Sequence, residues 1–149
     1  MSAYRRILVA VDGSDAASAG LREALRLAKS EGAQLFILHV VNEAMPYTPL
    51  AGAPPINFIE ILQESGRRVL ERARGEAHAA GVPATTLLVE SEERSAAHGI
   101  LEQARKHEAD LIILGTHGRR GLRRLVLGSD AELVVRGASA PVLLVRAPS

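Results

Sequence analysis

From Tyr4 to Val11 the chain is an apolar run broken only by Arg5 and Arg6, and it ends in Asp12-Gly13-Ser14-Asp15, where turn formers and helix caps accumulate. That pattern predicts a buried strand feeding a helix. From Ala16 to Ser30 the apolar residues Ala17, Leu21, Ala24, Leu25 and Ala28 recur at helical spacing, while Arg22, Glu23, Arg26 and Lys29 take the other face. Gly32 is the expected C-terminal cap. Ala33 to Val41 reads as a second buried strand, and Met45 to Pro55, with four prolines and a glycine, as a loop. A long helix over Asn57 to Ala80 ends at Gly81, and Pro83 to Glu90 supplies a third strand. Ser95 to His107 is a shorter helix, Ala109 to Gly115 a fourth strand, Ser129 to Gly137 a last helix and Ala140 to Arg146 a last strand. Strands that alternate with helices predict a parallel sheet with helices on both faces, since each right-handed crossover covers one side. Ligands of such sheets lie beyond the carboxyl ends of the strands, where strand order reverses, and the loops opening at Asp12 and Gly115 meet that condition best.

Composition narrows this picture. The 149 residues are 47% hydrophobic, enough for one compact domain over 1–149 and too short for two ordinary ones. At 3% aromatic and without Trp, the core must be filled by Leu, Val, Ile and Ala, which suits helices packed on a sheet. The absence of Cys excludes disulfides, thiolate metal sites and a thiol nucleophile. No apolar run at the N-terminus is long enough for a signal-peptide core or a membrane span, so a cytoplasmic protein with no membrane partner is expected. A net charge of +1 gives no global field for nucleic acid, and any anion site must be local.

One segment carries the chemistry. LGTHGRRGLRRLVLGSDAE sets Gly115, Gly118 and Gly128 in a strand-to-helix connection with the spacing G-x-x-G, nine residues, then Gly-Ser. Glycines there let the backbone approach phosphate oxygens with no Cβ in the way, and Ser129 opens a helix whose unpaired N–H groups and partial positive charge favour an anion. The Lys of a Walker A loop is missing, and the spacing is not the G-x-G-x-x-G of dinucleotide folds.

With RRILVAVDGSDAA at the start, LHVV in the second strand, ADLIILGTHGRRGLRRLVLGS and the closing APVLLVR, the chain resembles the ATP-binding branch of the universal stress protein family over essentially its whole length. The resemblance implies an open parallel five-stranded sheet of order 3-2-1-4-5, Rossmann-like and akin to the adenine nucleotide alpha hydrolases. It implies ATP as ligand. Asp12 would contact ribose or phosphates, Val40 would give backbone bonds and an apolar wall for adenine, and Leu114 would cover the base. Gly115, Gly118, Gly128 and Ser129 would hold the phosphates, with Ala10 and Ala131 lining the same pocket. A homodimer through Val142, Leu143, Leu144 and Val145 is also implied, and it would cover an apolar edge strand otherwise open to aggregation.

Position 130 departs from the pattern, being Asp where ATP-binding members usually carry an apolar residue such as Val. A carboxylate about 4 Å from a phosphate charge would be repelled by roughly 4 kcal/mol at an effective dielectric of 20, against a helix-dipole gain of about 1 kcal/mol. Two arrangements avoid this: Asp130 points outwards and favours the helix terminus, or it holds a Mg²⁺ that bridges to phosphate.

Other polar residues have plainer readings. Arg119, Arg120, Arg123 and Arg124 read as a solvated face before a phosphate clamp, His117 as an exposed loop residue, and His39 as a hydrogen-bonded core residue. His78, His98 and His107 bring no pair onto one helix face, and Glu90, Glu92 and Glu93 read as solvating the loop after the third strand. No nucleophile with a positioned base stands out. The expected function is therefore an ATP-binding stress-response module with little or no hydrolysis; the alternatives are a weak ATPase or autophosphorylating enzyme using Ser129 or Thr116, and a dimeric scaffold without nucleotide.

Overall fold

Uninterrupted apolar runs make the strands and helical spacing makes the helices, in the order β1 (Arg6–Ala10), α1 (Asp15–Glu31), β2 (Gln34–Asn42), α2 (Phe58–Ala79), β3 (Ala84–Ser91), α3 (Ala97–Lys106), β4 (Leu111–Gly115), α4 (Ser129–Gly137) and β5 (Val142–Val145). The computed structural model describes residues 2–43, 57–93, 95–117 and 127–148, so the expected Met45 to Pro55 loop, Gly118 and the arginines at 119, 120, 123 and 124 lie outside the described residues.

All strand pairings are parallel, and the sheet order is β3-β2-β1-β4-β5, as expected. β1 is central, with Val9 paired to Ile37 on one side and to Ile113 on the other. The crossovers step one way from β1 to β3 and then return to β4 and β5. Their common right-handedness therefore puts α1 and α2 on one face and α3 and α4 on the other. Side-chain alternation in β1 feeds both layers. Ile7, Val9 and Val11 pack with Leu21 and Ala24 of α1 and with Leu70 and Ala73 of α2. Leu8 packs with Ile100 and Ala104 of α3 and with Ala131 and Val134 of α4.

Helix α1 is stopped at both ends by its sequence. The Ser14 hydroxyl accepts the Ala17 amide at 3.1 Å, and Gly32 turns left-handed at φ 67°, its N–H reaching the Ala28 carbonyl. The helix also lies unusually close to β4. A Cβ on Gly115 would sit 2.6 Å from the Ala16 carbonyl carbon, and one on Gly20 would sit 3.5 Å from the Gly115 amide nitrogen. Only glycines allow backbone to approach backbone in this way.

Element boundaries shift from the sequence expectation by one or two residues at several places, β4 for instance beginning at Leu111 instead of Ala109. The first strand begins at Arg6, not Tyr4, because the amides of Arg5 and Arg6 turn to the Asp110 carboxylate, at 2.8 and 3.0 Å. The third helix begins at Ala97, with the Ser95 hydroxyl accepting the Ala97 amide at 3.1 Å from outside it. The last strand is trimmed to Val142–Val145.

Candidate functional site at the carboxyl ends of the strands

Strand order reverses between β1 and β4, which run parallel, and the crevice this leaves is bounded by the ends of β1, β2 and β4 and by the first turn of α4. The strand pleat sorts what faces it. Ala10, Val40, Leu114 and Ala131 all turn to the α3 and α4 side and join one apolar cluster, Leu114 and Ala131 buried and Ala10 and Val40 half-buried. Val40 is set in place by Gly99 of α3, where a Cβ would meet its methyl groups at 3.1 and 3.2 Å. The apolar residues expected to line a base pocket are thus neighbours in space, although they come from four separate elements.

Asp12 follows β1 and is half-buried, and its Oδ1 accepts the Ser14 amide at 2.9 Å in a turn that leads into α1. The carboxylate is fixed at the mouth of the crevice by the same residues that start the helix.

The phosphate-binding expectation meets a more specific arrangement. The Gly128 amide already donates to the Thr116 carbonyl at 2.8 Å, and the Thr116 amide donates to Val145 of β5 at 2.9 Å. Thr116, which the sequence offered only as a candidate phosphoacceptor, ties the end of β4 both to the edge strand and to the start of α4. The donors left at the helix terminus are one residue further on. No side chain caps α4, and the amides of Ser129, Asp130 and Ala131 have no acceptor among the described residues. Gly115 has a structural reason of its own, since the space a side chain would take is filled by the backbone of α1. Gly118 lies outside the described residues.

Asp130 turns away from this terminus. Its Oδ1 accepts the Ser95 hydroxyl at 2.5 Å and the Ala96 amide at 3.2 Å, which places the carboxylate against the first turn of α3. Of the two arrangements open to it, the structure shows the outward one. Among the described residues no group of three His, Cys, Asp or Glu side chains gathers as a metal site.

The histidines divide. His39 is buried, with Nδ1 2.8 Å from the Val11 carbonyl oxygen and its ring beside Gly66 of α2, the hydrogen-bonded core residue expected. His117 is not the exposed loop residue that its position suggests. It is half-buried, its Nδ1 is 3.0 Å from the Thr116 hydroxyl, and its Nε2 is enclosed without a hydrogen-bond partner among the described residues. The acidic residues after β3 do hold the surface there, with Glu90 accepting from Gln63 and Glu93 lying 3.9 Å from His98. Partial burial, then the facing carboxylates of Glu90 and Glu92, hold the Glu43 carboxyl above its ordinary range.

Comparison with known proteins agrees with this fold. The Universal stress protein family matches residues 3–146. Universal stress protein YxiE of Bacillus subtilis is 37% identical over 150 residues, covering 96% of this chain and 99% of its own. The structure of the universal stress protein UspA from Lactobacillus plantarum superposes with a TM-score of 0.82 at 30% identity, over 98% of this chain and 100% of that one. A universal stress protein solved in complex with cAMP gives a TM-score of 0.65 at 26% identity, over 99% of this chain and 100% of that one. On the match along nearly its whole length and on the shared strand order, the chain belongs to the universal stress protein family.

Proposed function

We propose that the crevice at the ends of β1, β2 and β4 binds an adenine nucleotide, with ATP the favoured form, and that the protein works as a nucleotide-dependent regulatory module in the stress response with little or no hydrolysis. The observation that carries this reading is the uncapped first turn of α4, whose Ser129, Asp130 and Ala131 amides adjoin an apolar wall of Ala10, Val40 and Leu114. A helix terminus with open donors attracts phosphate, and a neighbouring apolar wall takes the base. Asp12 is in reach of the ribose end. A relative described as a complex with cAMP supports the adenine assignment. Magnesium would arrive with ATP on the phosphate oxygens, since Asp130 is engaged at α3. A hydrolase needs a base to orient the attacking water, and neither Asp12 nor Asp130, each already accepting an amide proton in a turn or a cap, is set aside for that work.

A homodimer through the last strand belongs to the same reading. Pro141 and Val145 offer their carbonyls to β4, so by strand alternation the backbone groups of Val142 and Leu144 face the open edge of the sheet. Such a module works in the cytoplasm, where adenine nucleotides are abundant.

Thermal unfolding with AMP, ADP, ATP and cAMP tests the reading. A ligand at 100 times its Kd adds about 2.7 kcal/mol and raises the midpoint by several degrees. Ser129→Asp puts a negative charge at the helix terminus, which leaves α4 stable and should abolish the shift. If no adenine nucleotide moves the midpoint, or the variant responds as the native protein does, the assignment fails; steady phosphate release from ATP would favour the enzyme instead.

A further inference from the structure

On the opposite face of the sheet, α1 and α2 enclose a groove of about 320 Å³ that the nucleotide reading does not use. Its floor is apolar, formed by Val11, Leu21, Val69 and Ala73, and Ser18 and Ser65 add hydroxyls on either side. Arg68 and Arg72 line the same groove from α2, with Glu76 beyond them. The two arginines stand four residues apart, one helical turn, an arrangement in which like charges repel. Neither has an ion-pair partner among the described residues, while Arg67, next to them on the helix, pairs with Glu64 at 3.5 Å. Two guanidinium groups with no ion-pair partner among the described residues, at the rim of an apolar trough, match a ligand with a charged head and an apolar body, because a guanidinium fork grips carboxylate or phosphate oxygens in pairs. The volume lies at the small end of the range for ligand pockets.

We propose that this groove is a second ligand site, separate from the nucleotide crevice, which takes a small anionic amphiphile: a carboxylate or phosphate head held by Arg68 and Arg72, with a short aliphatic tail along Val11, Leu21, Val69 and Ala73. The head lies toward Arg68 and Arg72 and away from Glu76, the one acidic side chain lining the groove among the described residues. The site shares β1 with the crevice, since Val11 faces the groove and Ala10 the base wall.

Isothermal titration of the full chain with octyl phosphate and with octanoate, each below its micellar concentration, tests the site. One saturable site is expected, and the head that binds more tightly identifies the anion. Arg68→Gln with Arg72→Gln, both exposed, should weaken binding at least tenfold while circular dichroism stays unchanged, and Glu76→Gln should tighten it a few-fold. Shortening the tail from octyl to hexyl should cost about tenfold. Saturating AMP should leave the titration unaltered, and the double variant should respond to AMP as the native chain does, so failure here is distinct from failure of the nucleotide reading. The proposal is overturned if neither anion saturates, if octanol binds as tightly as the anions, if the double variant retains native affinity, or if AMP displaces the probe.

Discussion

The carboxylate of Asp130, in the first turn of α4, accepts the amide of Ala96 at 3.2 Å, just before α3, so one acidic side chain serves two helix starts. It lends negative charge to the N-terminus of its own helix and, beside the Ser95 hydroxyl on the Ala97 amide, closes the start of a neighbour whose N-cap residue, Ala96, has no capping side chain. Asp130→Asn should therefore lower unfolding stability by about 1 kcal/mol, measured in urea. The nucleotide affinity, measured by titration, should change less than threefold, because the carboxylate is already turned from the phosphate side. A gain of a hundredfold or more would mean that the charge faces the ligand after all.

Gly115→Ala probes the contact between α1 and β4. The added methyl would lie 2.6 Å from the Ala16 backbone, which cannot rotate aside as a side chain would. A loss of about 1–3 kcal/mol is expected from equilibrium unfolding, with a smaller loss at Gly20, where the nearest atom is at 3.5 Å. Equal costs at the two positions would remove backbone contact as the reason for Gly115.

Gly99→Ala tests how the base wall is positioned. The new Cβ would press on Val40 at 3.1 Å, and the neighbour that gives is itself part of the crevice. Nucleotide affinity should fall several-fold with stability lowered by no more than about 1 kcal/mol, the two read separately by titration and urea unfolding. Unchanged affinity would place Val40 outside the contact.

Glu43 gives a pH dependence of defined sign. Burial first, then Glu90 and Glu92, raise its folded pKa above 4.5, so protonated Glu43 is the form the fold prefers. Its contribution is fully present below 4.5 and is lost as pH climbs through the raised value. Followed upward from pH 4.5, the urea midpoint of the native protein should decline relative to that of Glu43→Gln, the opposite trend from Glu23, whose carboxyl Arg26 holds low, being common to both. A decline of the same size in the variant would assign it to other groups.

Leu144→Pro tests the edge of the sheet. Its backbone faces outward, so the ladder to β4 survives while one donor to a partner strand is lost. Sedimentation should show the dimer dissociating at concentrations where the native chain remains paired, and an unchanged assembly state would move the interface elsewhere.

Element order and the parallel sheet were legible because the central strands are unbroken apolar runs, which leave few alternatives, while the strand order came from the family resemblance. The residues of the apolar wall were named by the family resemblance, and the structure shows them in one apolar cluster on one side of the sheet. What the chain did not disclose depends on partners distant in sequence. The Asp130 carboxylate is read correctly only once α3 is beside it, 34 residues away. Gly115 carries the mark of a phosphate turn in its spacing, yet its missing side chain is accounted for by a helix that begins a hundred residues earlier. The link that Thr116 makes between β5 and α4 gave no signal because it is made through main-chain atoms, which every residue has.

Ala10 and Val11 point into different layers, one toward the base wall and the other into the groove between α1 and α2. Losing or gaining a single residue within β1 would exchange them, thrusting a branched side chain into the space meant for a ring and withdrawing it from the other core. This strand can therefore change length only in steps of two, and chains of this kind are left to diversify in the connections around a first strand of constant parity.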